Sequence, residues 1–208
     1  MKKFWIILFA AMPIGLWAQD NTWELPEEEQ QQEEMAQDAK VNPDAKYLRG
    51  AVPEVDGKVV FSTTIDAPGK SAAEIYTILH DYIKKMTKAS NQINSRLIVE
   101  DSIKYELGAS FEEWLVFKKT ALSWDQTRLY FVLEVKCENG KALASISRIR
   151  YLYEENRKPE RLKAEEWITD DAAVNKKNTR LYPVSGKFRR KTIDRKDFIF
   201  NKFESLLK

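Results

Sequence analysis

Apolar and polar residues alternate most regularly between residues 129 and 153. Leu129, Phe131, Leu133, Val135 and Cys137 alternate with Arg128, Tyr130, Glu134, Lys136 and Glu138, the period-two pattern of a strand with one buried face. Asn139-Gly140 follows, and Ala142, Ala144 and Ile146 then continue the apolar face. Asn-Gly between alternating runs predicts a β-hairpin closed by a type I′ turn, because both residue types tolerate the positive φ that this turn requires. Beyond Ile146 the parity switches: Ile149, Tyr151 and Tyr153 carry the apolar positions, and Arg148 and Arg150 fall where inward side chains would have continued. Two buried, unpaired arginines would be very costly, so a β-bulge near Ser147 is predicted to flip the parity.

The same patterns assign the rest of the chain. Pro53 and Asp56-Gly57 make a turn, and Val59, Phe61, Thr63 and Ile65 form a first strand. Ser71 and Glu74 have capping-box spacing, and Ile75, Leu79, Tyr82, Ile83 and Met86 recur at threes and fours, predicting an amphipathic helix over 72–89. Short strands are predicted at 96–101, 104–111 and 113–119, and residues 155–163 read as a charged connection. Residues 163–174 read as helix or turn, and Lys176-Lys177-Asn178 and Tyr182-Pro183-Val184-Ser185-Gly186 as loops. Phe198, Ile199, Phe203, Leu206 and Leu207 place a closing amphipathic helix over 194–208.

Charge separates the two ends of the chain. Lys2 and Lys3, the apolar run from Phe4 to Leu16, and Leu16-Trp17-Ala18 predict a cleaved signal peptide over 1–18. The run is short of the roughly 20 apolar residues of a membrane span. The leader ends without cysteine, so the product is expected to be exported, periplasmic or secreted, with no lipid anchor and no transmembrane segment after cleavage. Residues 19–45 are rich in Glu and Gln. Residues 20–44 hold nine acidic residues against Lys40, a composition expected to form a disordered spacer. Residues 46–208 form the folded domain, and from residue 45 onward basic residues exceed acidic ones by eight, so the spacer is placed to cover a basic domain electrostatically. Cys137, the only cysteine, cannot form an internal disulfide and reads as a buried, inert thiol.

Strand, helix, a run of strands and a closing helix is the β-α-β4-α order of TATA-binding-protein-like and START-like α+β domains, in which helices pack on one face of an antiparallel sheet. Val59-Val60-Phe61, Pro68-Gly69-Lys70-Ser71 and Glu74-Ile75-Tyr76 sharpen the likeness. Ala164-Glu165-Glu166-Trp167-Ile168, Gly186-Lys187-Phe188-Arg189 and Thr192-Ile193-Asp194 extend it. Over residues 52–207 the chain resembles a domain-of-unknown-function family with a TATA-binding-protein-like fold found in exported proteins of Bacteroidetes. The resemblance implies a fold and a compartment. That family has no established activity, so no catalytic residue transfers.

Candidate chemistry is sparse. His80, the only histidine, follows a core leucine inside a helix and reads as a boundary residue. One histidine and one distant cysteine do not make a zinc site, and no glycine-rich phosphate loop is present, so neither metal nor cofactor is expected. Glu112-Glu113, Glu165-Glu166 and Asp170-Asp171 are adjacent in sequence, so their side chains diverge in regular structure. Basic residues are the better candidates: Arg148, Arg150, Arg189 and Arg190, with Tyr130 and Trp167 as stacking partners, can form a positive binding surface. Nucleic acid is not the expected partner, since fold does not fix function, the product is exported, and the mature net charge is near zero. The expectation is therefore a noncatalytic binding module of the cell envelope, not an enzyme, whose partner is an envelope protein or small ligand. It would bind either between the closing helix and the sheet or on the sheet's open face. The alternative is a hydrolase acting on an envelope polymer.

Overall fold

A computed structural model describes residues 42–120, 124–155 and 157–208. The predicted signal peptide and residues 19–41 of the predicted spacer lie outside them. A 3-10 turn (Ala45–Tyr47) leads into a two-stranded ribbon, β1 (Glu54–Val55) and β2 (Lys58–Val59), whose turn residues Asp56 and Gly57 both have positive φ (50° and 69°). The main elements follow: β3 (Phe61–Asp66), α1 (Ala72–Met86), β4 (Arg96–Asp101), β5 (Glu106–Lys119), β6 (Trp124–Glu138) and β7 (Lys141–Tyr153). Then come β8 (Glu160–Lys163), the single turns α2 (Ala164–Trp167) and α3 (Asp170–Ala173), and the 25-residue α4 (Pro183–Leu207). The sheet order is β3-β7-β6-β5-β4, antiparallel throughout, with β8 also on β7. This is the expected β-α-β4-α core, with the ribbon, β8, α2 and α3 added.

Sheet parity decides what is buried. Leu107, Ala109, Phe111, Glu113 and Leu115 on β5 and Leu129, Phe131, Leu133, Val135 and Cys137 on β6 face α1 and α4. Ile75, Leu79, Tyr82, Ile83 and Met86 of α1 meet them, and α1 starts with the predicted capping box: Glu74 N donates to Ser71 Oγ while Ser71 N donates to Glu74 Oε2 at 2.8 Å. Full burial of side chains this size contributes about 1.5–3 kcal/mol each.

The bulge lies where it was predicted. Tyr130 pairs with Arg150 and Val132 with Ser147, so Arg148 and Ile149 oppose Phe131 alone. Arg148 takes φ 55°, which sends Ile149 inward and leaves Arg148 and Arg150 exposed. The bulge also divides the β7 edge, since β3 pairs with residues 141–146 and β8 with residues 150–153.

Several expectations are corrected. At the tight turn only Gly140 has positive φ (79°), so the turn is not type I′. Asn139 Oδ1 instead accepts from Ala72 N at 2.9 Å, and Gly140 N donates to Lys70 O, so contacts with the α1 entry set the turn. The strands expected at 104–111 and 113–119 are one strand, β5, because β6 is long enough to pair along nearly all of it. Residues 160–163, read as connection, form β8. Residues 182–186 are not a loop: α4 starts at Pro183, a favoured first helical residue, and Gly186 lies inside it because a Cβ there would come within 2.7 Å of Leu181 Cβ. Contacts with the domain begin before Lys46, since Asn42 Nδ2 donates to Thr179 O at 2.7 Å and Asp44 accepts from Arg190 Nε at 2.7 Å.

Candidate functional site

The two faces of the sheet offer different spaces. Between α4 and the sheet, the gap bordered by Leu129, Ile146, Thr192 and Ile199 measures about 10 Å³, no more than one water would need. On the other face, free of helices among the described residues and called the helix-free face below, the sheet bounds an open trough of about 670 Å³. Ser62 and Thr64 on β3 and Val99 on β4 line its sides, and Glu106, Glu134 and Lys136 supply charge along β5 and β6. Gly108 brings the strands close here, since a Cβ on it would stand 3.0 Å from Val99 Cγ2. Among the described residues this gap under α4 is too small for a ligand, and the trough on the open face is large enough for one.

Beside the trough the register lays side chains, most of them polar, in rows. Glu112, Tyr130, Arg150 and Lys163 form one row across β5, β6, β7 and β8, and Trp114, Arg128, Leu152 and Arg161 form the next. Arg128 is fixed: Nε and Nη2 donate to the two Glu155 oxygens at 2.7 and 2.6 Å, and Nη1 donates to Glu112 Oε1 at 2.8 Å. Its guanidinium lies over the Trp114 ring at 5.2 Å. These bonds, the one to Glu112 foremost, raise its pKa. Tyr130 Oη donates to the same Glu112 oxygen at 3.1 Å, and Arg150 lies over the Tyr130 ring at 5.4 Å. Burial, then the Glu112 charge, pushes the Tyr130 phenol up, keeping it a donor.

Of the six residues expected to form a binding surface, the fold brings together Arg148, Arg150 and Tyr130. The other three lie elsewhere. Arg189 is wholly buried: Nε donates to Tyr47 O, Nη1 to Ile168 O, and Nη2 to Leu48 O and Asp170 Oδ1, all at 2.6–2.7 Å. It clamps the entry of the domain to α4, and this removes it from any binding surface. Arg190 forms an ion pair with Asp44. Trp167 packs edge-on against Phe188 with centroids 6.0 Å apart. Phe188 also touches Phe117, Tyr151 and Tyr153.

Three surface residues and one buried pair were missed. Arg128 had strand parity but no sign of its partners, whereas Arg161 and Lys163 were hidden because β8 is too short to show periodicity. The buried pair Glu113–Arg195, bidentate at 2.7 Å on both arms, had a signal: Glu113 sits at an inward position of β5. His80 is the expected boundary residue, with Nε2 at 2.7 Å from Glu100 Oε2 and its ring stacked on Tyr76. Cys137 is buried, and burial pushes its thiol up to about 11. Among the described residues no helix is long and apolar enough to cross a membrane.

Comparison with known proteins bears on the fold. Residues 61–152 match the family model of a domain of unknown function (DUF4468) with TBP-like fold. A DUF4468 family protein from Bacteroides ovatus is 41% identical, aligns over 79% of this chain and 94% of its own, and superposes with a TM-score of 0.73. A TBP-like protein from Parabacteroides distasonis is similar in fold, at 19% identity over 75% of this chain and 96% of its own, with a TM-score of 0.62. No curated protein matches the chain.

Proposed function

This chain belongs to the DUF4468 family of domains with a TBP-like fold, and on that premise we propose that it is an exported, noncatalytic binding module of the cell envelope that holds its partner on the helix-free face of the sheet. The observation that carries the reading is the contrast in space, about 670 Å³ on that face against about 10 Å³ under α4. Ligand pockets commonly fall in the range of a few hundred to about 1,000 Å³. Small side chains on β3 and β7, Ser62, Thr64 and Ser145, leave the trough open, while Glu106, Glu134 and Lys136 give it polar recognition.

Export rests on the leader and is tested by fractionating cells that make the chain with and without residues 1–18. Binding is tested by native mass spectrometry of the mature protein purified from its host's envelope, before and after denaturation. A bound mass that denaturation removes, and that Ser145→Trp abolishes by filling the trough, is the expected result. A clean apo protein from the native source overturns it.

The second reading, a hydrolase of an envelope polymer, draws on one feature: Glu106 and Glu134 both line the trough. Lys136 stands directly across from Glu106 in the register. Turnover of an envelope polymer that falls by orders of magnitude in both Glu106→Gln and Glu134→Gln would favour this reading.

A further inference from the structure

We infer that the acidic residues 20–41 of this same chain dock on the β7–β8 corner of the helix-free face, where Arg148, Arg150, Arg161 and Lys163 receive their carboxylates. The register sets Arg150 directly opposite Lys163 and Leu152 opposite Arg161, so three cations leave one face from two adjacent strands. Like charges facing each other across an antiparallel pair repel, and anions taken up beside them relieve the repulsion. Arg148 joins them from the bulge, held at φ 55°, a left-handed conformation that glycine adopts without strain. Bulges commonly re-aim a side chain next to a functional surface.

The described residues leave this corner short of negative charge. Arg148 and Arg161 meet no carboxylate among them, and Arg150 rests on the Tyr130 ring. Lys163 reaches Glu166 at 3.1 Å in a pair whose side chains are both 67% exposed. Glu112, in the row of Arg150 and Lys163, and Glu155 are both held by Arg128. Every carboxylate of the chain outside the described residues lies between Asp20 and Asp38, eight in all, and Lys40 is the only base in residues 20–41. Arginine forks suit carboxylates bidentately, and three of the four cations are arginine.

Reach permits the contact. The segment is tethered where Asn42 meets Thr179 and Asp44 meets Arg190. Its span when extended, about 70 Å at roughly 3.3 Å per residue, exceeds the breadth of a domain whose radius of gyration is about 15 Å. Lys176, Lys177 and Arg180 lie nearer the tether, on a turn and its exit. No register forces them together, so neutralising them gains less. An external anion would have to displace the segment from the corner, and the inference stands on charge and register whether or not such a partner exists.

Lys163 is the only amine in the corner, which makes a zero-length carbodiimide coupling selective. The chain from Gln19 onward, dilute and at low salt, is expected to give an intramolecular amide between a carboxylate of residues 20–38 and Lys163, exceeding those to Lys176 and Lys177. It should fall several-fold in the combined Arg148→Ser, Arg150→Ser and Arg161→Ser variant, and at about 1 M salt, where the screening length is about 3 Å. The Lys163–Glu166 amide inside the domain reports that Lys163 is reactive and the variant folded. Coupling concentrated on Lys176 or Lys177, coupling only between isotopically distinguished copies, or a yield unchanged in the variant each overturns the inference. Because the assay contains no external ligand, a failed ligand search would leave its result intact.

Discussion

The two faces of the sheet treat arginine in opposite ways. Under the helices, Arg189 and Arg195 are almost fully buried and every group around them is committed: Arg189 to three carbonyls and Asp170, Arg195 to both oxygens of Glu113. On the helix-free face Arg148 and Arg150 are exposed, one in a left-handed bulge and the other lying on an aromatic ring. Residue type is the same and the consequence differs. A buried guanidinium holds parts of the chain together because removing it strands its partners in a low dielectric, whereas an exposed one stays available to bind.

Substitutions on the two faces can break that contrast. The largest effect is expected for Arg195→Ala, which leaves Glu113 buried with the Gln92 amide but without its cation: about 3–5 kcal/mol lost in urea unfolding. A loss below about 1 kcal/mol would mean that the pair is open to water and the two faces are alike. Phe188→Ala, which empties the space among Phe117, Tyr151 and Tyr153, is expected to cost a similar 3–5 kcal/mol. Alkaline pH gives an intermediate effect through Cys137. Its thiol rises from an ordinary 9.0 to about 11 on burial, so the protonated form favours the fold. The contribution is complete below pH 9 and is lost as pH rises through about 11. The difference in stability between the parent chain and Cys137→Ala should therefore shrink over that window; a constant difference would place the thiol in water.

Smaller effects are expected on the open face. Arg148→Gly should stabilise the domain by about 0.5–1 kcal/mol, because glycine accepts positive φ without a Cβ clash. Destabilisation would show that Arg148 holds a structural partner. Arg150→Ala should leave stability within about 0.5 kcal/mol, read from the same urea curves.

Legibility followed the same division. The alternation of β6 and β7, the stripe of α1 and its capping box could be read from residues a few positions apart, and the parity switch after Ile146 located the bulge. Three of the six expected surface residues, Arg148, Arg150 and Tyr130, came with those strands. Arg189 misled because charge was read as exposure, although it lies one residue from Phe188 and three from Thr192 on the buried stripe of α4. The start of α4 was hidden by Pro183 and Gly186, which read as loop residues out of context; one begins the helix, and the other makes room for Leu181.

Local periodicity was enough for strand faces, the first helix and the order of elements, because each depends on which way neighbouring side chains point along a regular backbone. Packing alone settled the rest. Arg195 finds Glu113 across 82 positions, and Arg189 finds Tyr47 across 142. The Asn139 turn gave up its preferred geometry to bond the entry of a helix 67 residues earlier. Which face stayed open was likewise decided by where α1 and α4 came to rest, since partners so distant in sequence leave no periodic trace in it.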